Sequence, residues 1–252
     1  MSAPSFLDTA EGRRIAYHRT DGEGPGLVFL GGFKSDMEGT KATHLEAWCR
    51  TRGQAFLRFD YSGHGASSGR FEDGAISDWA EDARAALEEL TDGPQLLIGS
   101  SMGGWISLLM AKRIPEKIAA LVTIAAAPDF TEDGFWAGFS DADRATLLRD
   151  GQIAVPSDYG EPYIITRRLI EDGRDNFVLR EPLELPFPTR FLQGTDDADV
   201  PLHRATTLLE HATGPDIRLV VLKGADHSFS SPSALKVLED ATLNALAAIK
   251  KT

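Results

Sequence analysis

The stretch LLIGSSMGGW, Leu96 to Trp105, decides how this chain is read. An apolar run ends at Gly99, two hydroxyls follow at Ser100 and Ser101, and Gly103-Gly104 opens a second apolar run. The first run reads as a buried strand and the second as a helix. Gly99-Ser100-Ser101-Met102-Gly103 fits G-x-S-x-G with Ser101 at its centre. Where a strand turns sharply into a helix, the corner residue is held in strained dihedrals. Residues two before and two after it must be small, or they collide. Gly99 and Gly103 meet that need, and Gly104 gives the helix room to lie on the sheet. Ser101 then points outward at a helix N-terminus, where the dipole and free N–H groups favour negative charge. Ser100 is its neighbour on the strand end. The pattern alone is a weak signal, because a tight glycine turn can carry an incidental serine. Partners elsewhere in the chain decide.

Working outward, short apolar runs alternate with helical patterns. Gly26–Gly31, Gln54–Asp60, Gln95–Ser100, Ile118–Ala127, Thr189–Gly194 and Ile217–Gly224 read as buried strands. Asp78 to Leu90 has helical spacing at Ala80, Ala83, Leu87 and Leu90, with Asp78 and Glu81 placed to cap its start. Ser101–Arg113 reads as a helix ended by Pro115, and Leu208–Ala212 and Leu235–Ile249 belong to two more. The alternation predicts an α/β fold: a mostly parallel, eight-stranded sheet with helices on both faces. Arg14–Thr20 alternates polar and apolar residues and is expected as an antiparallel edge strand.

Residues 129–188 break the rhythm. The segment is polar and aromatic, with Phe130, Phe135, Trp136, Phe139, Tyr159 and Tyr163. A connection this long is rarely structureless in a compact domain. It is expected to be a small helical cap, the alternative being a surface excursion without a role. The organisation is therefore a core in two parts, 1–128 and 189–252, with a cap at 129–188.

A serine hydroxyl needs a base, and the base needs an orienting carboxylate. On a doubly wound sheet both come from loops at strand carboxyl ends, after the nucleophile in sequence. His227, in IRLVVLKGADHSF, sits just beyond the last strand; of six histidines it is the one in that position. TRFLQGTDDADVP supplies the acid. Asp197, four residues after Gln193, is favoured by its place on the turn. Asp196 is a solvated alternative, and Asp199 could be solvated or cap the following helix. The negative charge formed on a reacting carbonyl needs N–H donors. The backbone N–H of Met102 is one. The other is expected from FLGGFKSDMEGTK, where Gly31-Gly32 lets the chain approach and Phe33 offers its N–H. FDYSGHGASSG could wall the pocket, and its His64 is read as structural.

Composition sets bounds. The chain has 252 residues, 42% hydrophobic and 25% charged, which suits a globular protein with a sizeable core. A net charge of -12 argues against nucleic acid and anionic membrane surfaces as partners. Cys49 is the single cysteine, so no internal disulfide forms. The opening MSAPSFLDTAEGRR has no long apolar run, and no stretch is long enough to span a bilayer. A cytoplasmic location is expected. No H-E-x-x-H, paired cysteines or phosphate loop is present, so no metal and no organic cofactor is expected.

With these residues assembled, GGFKSDMEGTKA, RFDYSGHGASSG, DGPQLLIGSSMGGW and PEKIAALV together resemble the α/β-hydrolase family. Within it the likeness is to the animal mitochondrial branch of acyl-glucuronide esterases and palmitoyl-protein thioesterases. The resemblance is close over the first half of the chain and looser later. It implies Ser101 as nucleophile, Asp197 as acid and His227 as base. It also implies ester or thioester substrates bearing an acyl group, free or on an acylated protein. Gln193-Gly194 departs from the His-Gly found in many relatives of this fold. The expectation is a serine hydrolase. The alternatives are a binding module without turnover, and an acyltransferase or peptidase using the same triad.

Overall fold

A computed structural model describes residues 3–157 and 162–249. Tyr159 lies outside the described residues. The chain opens with β1 (Ser5–Asp8), β2 (Arg14–Thr20) and β3 (Glu23–Leu30). Helix α1 (Thr40–Thr51), β4 (Gln54–Phe59), α2 (Ile76–Leu90) and β5 (Gln95–Ser100) follow. Then come α3 (Met102–Arg113) and β6 (Ile118–Ile124). After a π-helical turn at Thr131–Trp136 lie α4 (Asp141–Asp150), β7 (Gln152–Val155), β8 (Tyr163–Thr166) and α5 (Arg167–Arg174). The chain closes with β9 (Leu183–Glu184), β10 (Thr189–Gly194), α6 (Leu202–His211), β11 (Ala212–Thr213), β12 (Ile217–Leu222) and α7 (Pro232–Ile249).

The main sheet has eight strands in the order β1-β2-β4-β3-β5-β6-β10-β12. From β4 to β12 every pairing is parallel; β1 and β2 run antiparallel at one end. Both faces of the central strands are covered, which is why their sequences read as continuous apolar runs. In β3, Val28 and Leu30 face a core shared with α2 and α3. Leu27 and Phe29 face the other core, shared with α1 and α7. The side-chain period of two in a strand thus feeds both layers.

Four local expectations are corrected. Arg14–Thr20 is not the edge: β1 pairs outside it, Ser5 against Tyr17. Ile217–Leu222 is not a buried strand but the opposite edge, and Val221 is 42% exposed. Asp78 does not begin α2. Helix starts at Ile76, and Asp78 accepts the Ala75 N–H at 2.9 Å from inside the first turn. The cap position of α6, which Asp199 was placed to take, is held by Pro201.

Residues 129–188 hold the π turn, α4, α5 and a β-hairpin, Gln152 against Thr166 through Val155 against Tyr163. The sequence reading expects helices here and no hairpin. One buried carboxylate gathers the two ends of this segment. Asp129, with no exposed surface and φ of 57°, accepts the N–H groups of Val178 and Leu179 at 2.9 and 3.1 Å. Arg180 completes the set at 2.6 Å and pairs with Asp133 at 2.5 Å.

Candidate active site

Because β3, β5, β6, β10 and β12 are parallel, their carboxyl ends meet at one rim. Leu30 lies opposite Gly99, Ser100 opposite Ile124, and Gln193 opposite Val221. In such sheets this rim is where ligands bind.

Ser101 stands at the corner between β5 and α3, with φ of 54° and ψ of -117°. A non-glycine residue is rarely found there, and strain of this kind persists only where the surroundings impose it. Here they do. The Ser101 N–H donates to the Ile124 carbonyl at 2.9 Å, and its carbonyl accepts from Ala127 at 3.1 Å. A Cβ on Gly99 would be driven into the Gly103 carbonyl, and one on Gly103 into the Leu30 carbonyl. The corner closes only because both positions lack one. Ser100 is buried at the end of β5.

The loop after β12 brings His227 to this corner. Its Nε2 lies 3.1 Å from Ser101 Oγ. Its Nδ1 lies 3.0 and 3.1 Å from the two carboxylate oxygens of Asp197. Since the carboxylate can only accept, Nδ1 donates, which leaves the Nε2 lone pair facing the serine hydroxyl in the neutral imidazole.

Asp197 is buried on the loop after β10. Its Oδ1 also accepts the N–H groups of Asp199 at 3.0 Å and Val200 at 2.8 Å, and its Oδ2 accepts Gln193 Nε2 at 2.9 Å. Burial opposes the charge, but the hydrogen bonds from His227, Val200 and Gln193 outweigh it and hold the carboxyl below the usual value. Asp196 and Asp199 are exposed. Asp197, Asp199 and His227 each offer a donor atom within 4.8 Å of the others. The Asp197 oxygens are already engaged by N–H groups, an environment that suits a hydrogen-bonded acid better than a metal ligand.

The glycine loop after β3 lies against the corner. A Cβ on Gly32 would come 3.5 Å from Ser101 Cβ and 3.6 Å from the Ser100 carbonyl. No described residue accepts the Phe33 N–H. Met102 is the first residue of α3, so its N–H has no partner within the helix. The Phe33 ring is the hub of an aromatic cluster, with centroids 4.8 Å from Phe71, 5.5 Å from Phe130 and 5.5 Å from Tyr163. It joins the glycine loop to residues 130–163.

Sequence reasoning missed Lys41 and the partners of Gln193 and His64. Gln193 entered it as a position marker and as a departure from His-Gly, yet its Nε2 donates to Asp197 and to the Val200 carbonyl, the latter at 2.8 Å. Lys41 of α1 donates to the Ser228 carbonyl beside His227. Burial lowers its ammonium to about 8 despite the nearby charges of Asp226 and Asp197. His64 sits under the glycine loop. No local signal marks these residues, because each acts across the fold.

The comparisons agree with this architecture. Residues 42–154 match the model of the alpha/beta hydrolase fold family. The chain is 34% identical over 236 residues to the mitochondrial palmitoyl-protein thioesterase ABHD10 of Rattus norvegicus, covering 93% of this chain and 79% of the relative. The Homo sapiens protein of the same name is 33% identical, covering 93% and 77%. The structure of alpha/beta hydrolase domain-containing protein 10 from mouse superposes with a TM-score of 0.89 at 32% identity, covering 97% of this chain and 100% of that one. These relatives overturn the expected cytoplasmic location, since their names place them in mitochondria. Net charge and a lone cysteine do not distinguish one compartment from another. Among the described residues, no helix is long and apolar enough to cross a membrane. Strand order, elbow and relatives together make this chain a member of the alpha/beta hydrolase family.

Proposed function

We propose that this chain is a serine hydrolase of carboxylic esters and thioesters, with Ser101 as nucleophile, His227 as base and Asp197 as the acid that orients it. One observation carries the reading: the unbroken run of hydrogen bonds from Ser101 Oγ through His227 to Asp197. Ser101 Oγ attacks the acyl carbonyl while His227 Nε2 takes its proton. Asp197 stabilises the imidazolium that forms. The N–H groups of Phe33 and Met102 hold the oxyanion. His227 returns the proton to the leaving alcohol or thiol. Water then attacks the acyl-Ser101 ester by the same roles and releases the acid. The names of the relatives support acyl thioesters carried on a protein as substrates. The aromatic residues of 129–188 beside Phe33 supply an apolar wall for an acyl chain.

The test is labelling with a fluorophosphonate probe, together with hydrolysis of p-nitrophenyl acetate and acyl thioesters of increasing length. The wild type should label on Ser101 and turn over both classes. Ser101→Ala should keep its circular dichroism spectrum and lose labelling, with kcat down by several orders of magnitude. A variant that retains near-native turnover removes Ser101 from the mechanism. A wild type that neither labels nor hydrolyses supports a binding module instead.

A further inference from the structure

The glycine loop between β3 and α1 stands on two buried side chains from the loop after β4. Asp60 Oδ1 accepts the Met37 N–H at 2.6 Å, and its Oδ2 accepts the Ala66 N–H at 2.8 Å. His64 Nε2 faces the Lys34 N–H at 3.1 Å, and its Nδ1 faces the Ser62 carbonyl at 3.1 Å. An amide can only donate and a carbonyl can only accept, so these two partners select one neutral tautomer. His64 carries its proton on Nδ1 and accepts on Nε2. The ring is 4% exposed and boxed by Tyr61, Phe71 and Trp79, with centroids 5.6, 5.2 and 5.2 Å away. The Trp79 indole N–H also donates to the Ser62 carbonyl, at 3.1 Å, fixing the acceptor that fixes the ring. Burial lowers His64 to about 4, which keeps the accepting form at neutral pH.

The residue it holds is unusual. Lys34 has φ of 56°, in the left-handed region that side chains rarely adopt. It directly follows Phe33. On the other side of the turn, Ser35 donates its N–H and its hydroxyl to the Gly32 carbonyl at 3.2 and 2.8 Å. The peptide that carries the Phe33 N–H is thus bracketed by a closed turn and by the bond to His64.

We propose that His64 is a positioning residue for the oxyanion site: by accepting the Lys34 N–H, it holds the strained turn in which the Phe33 N–H is aimed at the reacting carbonyl oxygen. This rests on the serine hydrolase reading above. The role is indirect, since His64 reaches the site only through the backbone. It differs from general support of the fold in one respect. The Phe33 N–H engages the oxyanion more strongly than the ground-state carbonyl, so a loosened turn weakens transition-state binding and leaves substrate binding in place.

The experiment compares wild type, His64→Phe and His64→Gln with p-nitrophenyl acetate and with an aryl trifluoromethyl ketone, which forms an oxyanion-bearing adduct on the serine. Phenylalanine fills the aromatic box without an acceptor; glutamine places an oxygen near the position of Nε2. In His64→Phe, kcat should fall about tenfold to a hundredfold with KM nearly unchanged. The inhibitor constant should weaken by the same factor, and His64→Gln should recover most of both. A folded His64→Phe with kcat within twofold of wild type overturns the proposal. So does equal damage in both variants tracking a common fall in Tm. Should His64→Phe not fold, long-range 1H–15N correlation spectra of the wild type decide. The Nδ1–H tautomer is required, with an Nε2 shift that moves when the ketone binds; an Nε2–H tautomer overturns the proposal. Fluorophosphonate labelling of the same wild-type sample tests the serine reading separately, so the two failures are distinguishable.

Discussion

Gly103 sits so close to Leu30 that any Cβ on it would run into the Leu30 carbonyl oxygen. The contact joins the first turn of α3 to the end of β3, the strand from which the glycine loop departs. The atom met is backbone, and a Cβ is fixed by the backbone that carries it, so neither can swing aside. Gly103→Ala should therefore destabilise by about 1–3 kcal/mol and reduce turnover as well, because the corner at Ser101 must shift. Gly138→Ala is the control. A Cβ there meets nothing within 4 Å, and the substitution should be neutral to stabilising. Thermal unfolding of the pair, with esterase assays, checks the ranking; equal Tm values would contradict it.

The acid can be assigned by comparing two neighbours. Asp197→Asn presents an amide to His227 and favours the wrong tautomer, so kcat should drop about 10^3–10^4-fold. Asp199 is exposed, and the N–H it gives to Asp197 belongs to the backbone and survives substitution. Asp199→Asn should change kcat by less than about threefold. Steady-state kinetics on both variants settles the order, and the reverse order would move the role to Asp199.

Asp133 supplies a pH dependence of stability. Hydrogen bonding from Arg180, with the charges of Arg180 and Arg204 behind it, holds its carboxyl below the usual value against partial burial. A carboxyl whose folded pKa is depressed stabilises the fold above its unfolded value and loses that contribution as pH falls through the folded one. Asp133→Asn should thus be less stable than wild type at neutral pH, with the gap narrowing below about pH 4. Urea unfolding at several pH values measures the gap, and one that stays constant into strong acid counts against this account.

Cys49 is fully buried on α1, and burial pushes its thiol up to about 12. Both features suppress the reactive thiolate. The native protein should react with 5,5′-dithiobis(2-nitrobenzoate) only as fast as it opens, and one thiol should titrate at once in denaturant. Rapid native labelling would mean that α1 detaches from the sheet more readily than its packing against β4 implies.

Much of this molecule was legible in its residues because the informative features are local. The corner at Ser101 needs only a strand, two glycines and a helix in succession, and all lie within ten residues. His227 and Asp197 could be placed because parallel strands deliver their loops to one rim in chain order. The edge status of Ile217–Leu222 was not legible. Its apolar run resembles that of β5, and nothing within it says which strand lies at the end of the sheet. Nor was the pairing of β7 with β8, since QIAV and YIIT are too short for a period to emerge. Gln193 and His64 were invisible as partners for a different reason. An amide or imidazole declares its role only through what the fold brings to it.

The buried carboxylate at 129 has an evolutionary consequence. Because one side chain ties both ends of the intervening segment, the neck can persist while the residues it encloses are lengthened, shortened or rewritten. Such a chain can exchange the residues between 130 and 177 without disturbing the sheet beneath them.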